Sequence, residues 1–159
     1  MRESKGNAVH TEVMELEASP AQVREFIMTP ERILDYYPDP VGGGILELGR
    51  AIYCQGGPGV SILERIEEEC TEGCVVVKVT TAFGLEPPFT RQRIEENVGF
   101  TMMEDWELAP SGSGTTLTKT WRDVIGAGPD PFPTDRIREG AIHESPLLIQ
   151  GWNAAAKES

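Results

Sequence analysis

The amino-acid sequence predicts an α+β fold in which a long antiparallel sheet is covered by a helix at the end of the chain. Two observations lead to this class. One strand-like segment and two short helical segments precede six further strand-like segments, and a helical stretch ends the chain. The apolar face of such a sheet has to be covered, and the terminal helix is the only predicted element long enough to do so.

Length and charge exclude several classes of partner. The 159 residues are typical of one domain, taken as 1–159, and 14 Lys and Arg against 26 Asp and Glu give a net charge of −12. Such an excess of carboxylates repels phosphate backbones and anionic lipids, so we expect neither nucleic acid binding nor membrane insertion. No apolar run approaches the ~20 residues of a membrane span, and no apolar stretch follows the first residues as in a signal peptide. We therefore expect a cytoplasmic protein.

The cysteine and histidine content argues against a metal site. Cys54, Cys70 and Cys74 form no CxxC pair, and the chain has only two histidines. A zinc site usually needs four thiolate or imidazole ligands, so we expect no metal and no cofactor. Cys70 and Cys74 fall on opposite faces of the predicted strands, which disfavours a disulfide between them.

The first elements are predicted from alternation and from helix-start signals. Residues 8–17 alternate apolar and acidic side chains as a half-buried strand does. Ser19-Pro20 is an N-cap followed by a favoured first helical residue, and Thr29-Pro30 repeats the signal for a shorter helix through Tyr36. That second helix must stop before Pro38.

The rest of the chain is predicted as a meander followed by a helix. Gly- and Pro-rich turns separate the strand-like segments, and an N-cap such as Thr134 begins the helix. The six predicted strands are residues 45–48, 50–55, 60–69, 74–83, 100–108 and 115–124.

Turn lengths predict which residues face each other across the strands. The turn at 56–59, a two-residue turn at Glu72-Gly73 and a six-residue loop at 109–114 each place apolar residues opposite apolar ones. The predicted pairs include Tyr53 with Ile62, Ile62 with Phe83, Ile66 with Val79, Glu64 with Thr81, Trp106 with Leu117, and Glu104 with Lys119.

This register turns several polar residues toward the sheet's apolar face, among them Tyr53, Gln55, Thr81 and the two candidates for proton transfer, Glu64 and Glu104. Glu104 lies opposite Lys119, whereas Glu64 has no evident basic partner, and burial would raise its pKa. A carboxyl of that kind is a candidate general acid or base. Alternatively, strand curvature or a bulge lets either glutamate reach solvent at an end of the sheet.

The terminal helix carries one apolar stripe, formed by Ile137, Ala141, Leu148 and Trp152. Ser145-Pro146 is a second helix-start signal within it, so we expect a kink or restart there. Because a kink changes the helical phase, either His143 or Glu144 could face the sheet.

The phrases LEASPAQV, RAIYCQGGPGVSILERIEEE and WELAPSGSGTTLTKTW resemble the START/Bet v1-like (SRPBCC) superfamily, in its polyketide cyclase/dehydrase-like group. The resemblance covers nearly the whole chain. It implies a helix-grip fold, with a seven-stranded curved sheet around the C-terminal helix and two short helices after the first strand. It also implies a cavity between sheet and helix for a hydrophobic ligand, with Tyr36 on its wall.

We expect a small hydrophobic molecule as the partner, lipid-like, aromatic or polyketide-like, and a homodimer is compatible with the sequence. An alternative is an enzyme resembling polyketide cyclases, a lyase or isomerase without metal, in which Glu64 and Glu104 move protons. Gly151-Trp152 resembles the Aha1-related (Hsp90 activator) branch and suggests a third function, a protein-interaction module. The expected ligand-binding residues are Tyr36, Tyr53, Ile62, Val79, Phe83, Met102, Trp106, Lys119, Trp121, Glu144 and Leu148.

Overall fold

One antiparallel sheet of seven strands organises the protein, whose computed structural model describes residues 7–29, 42–56, 59–128 and 133–158. The sheet is curved and does not close, and the order of its strands is β1-β7-β6-β5-β4-β3-β2. The predicted α+β class and strand number are confirmed. The strands are β1 (Ala8–Leu16), β2 (Gly42–Glu47), β3 (Ala51–Gly56), β4 (Gly59–Arg65), β5 (Cys74–Phe83), β6 (Val98–Ser111) and β7 (Gly114–Gly126).

Three helices accompany the sheet in the described residues: α1 (Pro20–Met28), α2 (Arg91–Glu96) and α3 (Thr134–Glu158). α1 begins as predicted, because Ser19 and Gln22 form a reciprocal capping box. The second short helix predicted at 29–36 lies outside the described residues.

The sequence predicts a kink or a restart of the terminal helix at Ser145-Pro146, and the restart is wrong, because α3 is one helix that continues through Pro146. Proline has no N–H to offer the preceding turn. The Ser145 hydroxyl donates a 2.8 Å hydrogen bond to the carbonyl oxygen of Ala141, one turn earlier in the same helix.

The main core lies between α1, α3 and one face of the sheet, called here the inner face and defined by Val75, Val77, Val79, Met102, Trp106, Leu117 and Trp121. Trp152 of α3 is fully buried and stacks on Trp106, with ring centroids 5.5 Å apart. Phe26 of α1 also packs on Trp152, with ring centroids 6.0 Å apart. Aromatic contacts of this kind join both helices to the sheet.

The predicted register between β4 and β5 is wrong by three residues. β3 and β4 pair as predicted, with Tyr53 opposite Ile62, but Ile62 then pairs with Thr80 and not with Phe83. The cause is the connection: β4 ends at Arg65, and a 3-10 turn at Glu67–Glu69 replaces the predicted strand end. Because side chains alternate with period two, an odd shift moves Tyr53, Ile62 and Glu64 to the opposite, outer face.

The β6–β7 hairpin is also tighter than predicted. Both strands extend into the loop sequence, leaving a two-residue turn at Gly112-Ser113, where Gly112 has φ +62°. Trp106 therefore pairs with Lys119, two residues from the predicted partner. An even shift keeps every side chain on its predicted face.

A second, smaller core covers the outer face at one edge of the sheet. Ile94 of α2 is buried together with Val60, Ile62 and Ala82, and Tyr53 packs against them. This helix is absent from the sequence prediction, which treats 84–98 only as a proline-containing connection. Six residues are too few for a clear helical period.

Truncating the α2 anchor tests this second core. Ile94→Ala is expected to lower the free energy of unfolding by about 2–5 kcal/mol, because Ile94 is 0% exposed and a cavity would remain. Ile142→Ala is the matched control, since Ile142 of α3 is 56% exposed and its loss should cost about 0.5 kcal/mol or less. Urea unfolding measures both, and equal effects would contradict the assigned packing.

Candidate functional site

The inner face carries a buried charge cluster of Lys119, Glu104 and Glu144. The ammonium Nζ of Lys119 lies 3.5 Å from Oε1 of Glu104 on β6 and 3.2 Å from Oε1 of Glu144 on α3. The three side chains are 2%, 6% and 23% exposed, respectively. Removing such groups from water costs several kcal/mol per ion, so the cluster depends on this mutual pairing.

The register of β6 and β7 builds the cluster. Trp106 pairs with Lys119 and Glu104 pairs with Trp121. Each cross-strand pair therefore places one charged side chain beside one indole. The ammonium of Lys119 lies 4.0 Å from the ring centroid of Trp106 and 4.4 Å from that of Trp121. Both rings therefore add cation–π attraction to the two ion pairs.

The Glu104 carboxyl is the most perturbed group of the cluster. Burial raises its pKa, the neighbouring Lys119 lowers it, and the charge of Glu144 raises it further. Its Oε1 accepts no hydrogen bond from the residues that the structure describes. A buried carboxylate oxygen in that state retains its capacity to accept a hydrogen bond.

The negative charges of the two carboxylates also affect the pKa of the Cys54 thiol. Cys54 lies on β3 opposite Ser61 of β4 and so shares the inner face. Burial, together with the charges of Glu144 and Glu104, raises the pKa of Cys54 to about 12. The thiol is therefore neutral at neutral pH and is no candidate nucleophile.

Two polar residues of β1 extend the cluster, although the sequence analysis passes over them. Glu12 pairs with Lys119 and His10 with Trp121 across the β1–β7 ladder. His10 Nε2 and Glu12 Oε1 are 2.9 Å apart, and the imidazole ring lies 5.7 Å from that of Trp121. Extending the apolar alternation of Met14 and Leu16 back along β1 would have placed both residues on this face.

Eight of the predicted ligand-binding residues lie on the inner face or on the helix that covers it. The side chain of Glu144 points toward the sheet, whereas His143 is exposed, which decides between the two alternatives. Phe83 lies at the margin, 40% exposed, with its ring 5.9 Å from that of Phe100. The eight are Val79, Phe83, Met102, Trp106, Lys119, Trp121, Glu144 and Leu148.

The other predicted site residues do not join them. Tyr53, Ile62 and Glu64 lie on the outer face, because of the register of β4 and β5 described above. Glu64 also has the basic partners that the sequence analysis did not find: its Oε2 is 3.1 Å from Nη2 of Arg91 and 3.9 Å from Nε of Arg50. Tyr36 lies outside the described residues.

A groove of about 800 Å³ opens beside the bulges of β1 and β6 and the first residue of α3. Met102, two residues from Glu104 on the same strand, connects its lining to the inner face. The groove is lined by Asn7, Val9, Ile66, Glu69, Lys78, Thr101, Met102, Met103, Asp123, Val124, Ile125 and Thr134.

Two other kinds of site find no support in the described residues. No group of three or more His, Cys, Asp or Glu side chains is arranged to hold a metal ion in residues 7–29, 42–56, 59–128 and 133–158. Across the same ranges, no helix combines the length and apolar character that crossing a bilayer requires.

The strand order and the covering helix α3 define a helix-grip-like α+β fold, which is the fold that the START/Bet v1-like resemblance implies. No protein-family model and no curated protein matches the chain. Solved structures do match it: a conserved protein from Geobacillus kaustophilus (15% identity, TM-score 0.64, covering 94% of this chain and 95% of that one) and a START superfamily protein from Mycobacterium smegmatis (16%, 0.57, 94% and 97%). Ara h 8.0201 is also similar (11%, 0.57, 94% and 97%). At these identities the likeness shows the fold, and it confirms the resemblance drawn from the sequence.

Removing the central cation should destabilise the protein strongly. Lys119→Met is expected to lower the free energy of unfolding at pH 7 by about 3–5 kcal/mol, because it leaves buried carboxylates without their partner. Lys78→Met, on an exposed lysine of β5, is the matched control and should change little. Urea unfolding compares the two, and similar losses would show that the cluster is not the buried ion pair described here.

The raised pKa of Glu104 predicts a pH dependence of stability. A carboxyl with a raised pKa binds its proton more tightly in the native state than in the unfolded state. Its contribution to stability therefore falls as the pH rises from the ordinary pKa of a glutamate toward the raised pKa in the folded protein. Glu104→Gln should therefore flatten the decline in the free energy of unfolding that begins as the pH rises above 4.5, the ordinary pKa of this carboxyl. Glu107→Gln, three residues along β6 and on the outer face, is the control. Parallel pH profiles for these two variants would rule out the assigned shift.

Proposed function

We propose that this protein binds a small, largely apolar molecule between the inner face and α3, with a polar group of that molecule against the Lys119–Glu104–Glu144 cluster. The observation that carries the proposal is the cluster itself, a set of charges within an otherwise apolar core. Stability alone does not call for it, since well-packed apolar residues often do as well or better at such positions. Oε1 of Glu104 is ion-paired with Lys119 at 3.5 Å but accepts no hydrogen bond in the described residues, so a ligand could donate one to it.

The surroundings of the cluster support the same function. Small-molecule sites are mostly apolar, with a few placed polar groups that orient the ligand. Here Val79, Met102 and Trp121 are apolar neighbours of the cluster on the sheet, and Leu148 faces them from α3. The START/Bet v1-like resemblance implies a hydrophobic cavity in this region of the fold.

A second candidate function is a cyclase-like enzyme without metal, for which the state of Glu104 is the specific argument. A buried carboxyl whose pKa is raised above its ordinary value, beside an ammonium, is a candidate to hold and release a proton. Glu64 has no part in this version, because it lies on the outer face between two arginines. An enzyme of this kind would lose turnover in Glu104→Gln while retaining its affinity for substrate within a few fold.

The protein-interaction hypothesis has less to support it. The Gly151-Trp152 pair suggested it, but Trp152 is fully buried against Trp106 and Phe26. In this chain that tryptophan packs the core of the domain.

Solvent extracts of the purified protein provide the first test of binding. Mass spectrometry of the extract is expected to find a stoichiometric apolar molecule, and adding decan-1-ol to extracted protein should raise the melting temperature. The tryptophan emission should change with the same dependence on concentration, because Trp106 and Trp121 flank the cluster. An empty extract together with an unchanged melting temperature and emission would refute the proposed function.

A further inference from the structure

We infer that the molecule bound at this cluster carries an uncharged hydroxyl or phenol group, and that the site discriminates against anionic head groups such as carboxylate or phosphate. The inference rests on the proposed function and adds the chemical class of the ligand. Its basis is the excess of negative charge at the cluster, two carboxylates around one ammonium, together with the buried polar atoms beside them.

The cations of the inner face are already engaged. Lys119 is held by two carboxylates and two indole rings. Arg65, which pairs with Val77 and so shares this face, donates to the carbonyl oxygens of Met28 and Gly49 and lies 3.7 Å from Glu67. An anionic head group at the cluster would therefore have to compete with Glu104 and Glu144 for Lys119. Nε of Arg65 is buried without a hydrogen-bond partner, but this cation is already held through its other two nitrogens.

Carboxylates outnumber the ammonium at the same place, and the indole Nε1 of Trp106 beside them is a buried donor without a hydrogen-bond partner. Glu104 and Glu144 supply two carboxyl groups for one ammonium, and Glu12 of β1 pairs with Lys119 in the β1–β7 ladder and is hydrogen-bonded to His10. The buried Oε1 of Glu104 accepts no hydrogen bond from the described chain. A hydroxyl group can donate to such an oxygen without adding charge.

The electrostatic potential points the same way. The charges of Glu144 and Glu104 both disfavour the thiolate of Cys54, so the field on this part of the inner face is negative. A second negative charge placed there would be repelled, and like charges close together in a desolvated site cost several kcal/mol. A ligand ammonium would in turn compete with Lys119 for the same carboxylates.

Three ligands that differ only in their head group test the inference: decan-1-ol, decanoate and decylammonium. Titration of extracted protein at pH 7.5, followed by tryptophan emission, is expected to show decan-1-ol binding at least about tenfold more tightly than either ion. Glu144→Gln should reduce the discrimination against decanoate several-fold, because it removes one repelling charge. Glu139→Gln, on an exposed residue of the same helix, is the control and should leave the discrimination unchanged.

Each outcome of this titration decides a different point. Decanoate or decylammonium binding as tightly as decan-1-ol overturns the inference and leaves the proposed binding function standing. Equal discrimination in Glu144→Gln and Glu139→Gln also overturns it, since the carboxylate would then not be its source. Absence of binding by all three ligands, together with an empty extract, overturns the proposed function and the inference with it.

A measurement without ligand checks the negative field separately. Alkylation of Cys54 by iodoacetamide at fixed pH, followed by peptide mass spectrometry, should be roughly two- to threefold faster in Glu144→Gln, because a lower thiol pKa gives more thiolate. The Glu139→Gln control should match the parent chain. An equal rate in all three proteins would remove the electrostatic basis of the inference.

Discussion

The burial of one ammonium group constrains the arrangement of the sheet and its covering helix. Lys119 cannot be desolvated alone, so a carboxylate from β6 and another from α3 must both reach it. This requirement joins the helix to the sheet at a defined rotation, with Glu144 inward and His143 in solvent. The stacked rings of Trp106 and Trp152 complete the same contact with apolar surface.

The two faces of the sheet have different roles because a different helix packs against each of them. On the inner face, α3 encloses the charge cluster and its apolar neighbours. On the outer face, Ile94 of α2 seals a small apolar cluster, and Arg91 of the same helix holds Glu64. Glu64 and Glu104, which have similar sequence surroundings, therefore differ in function: the first anchors a helix and the second lies at the candidate site.

The fold class and part of the site are predicted correctly although two strand registers are not, because side-chain alternation tolerates a register error of an even number of residues. Glu104 and Lys119 fall on one face in any β6–β7 register shifted by an even number of residues, so the misjudged loop did not separate them. The β4–β5 connection was misjudged by an odd number, which moved Tyr53, Ile62 and Glu64 to the other face. The same alternation along β1 places Glu12 and His10 on the inner face, but the sequence prediction covers only the three hairpins of the later strands.

The features that can be predicted from the residues are therefore local and periodic: the strands, the capped start of α1, the apolar stripe of α3 and the alternation that groups inner-face residues. The length of each connection, the phase of α3 through Pro146 and the partners of each charge depend on the folded structure. The physical reason is that alternation states which residues share a face but not what covers that face. Whether a glutamate meets an arginine of α2 or a buried lysine of β7 depends on packing between elements distant in the chain.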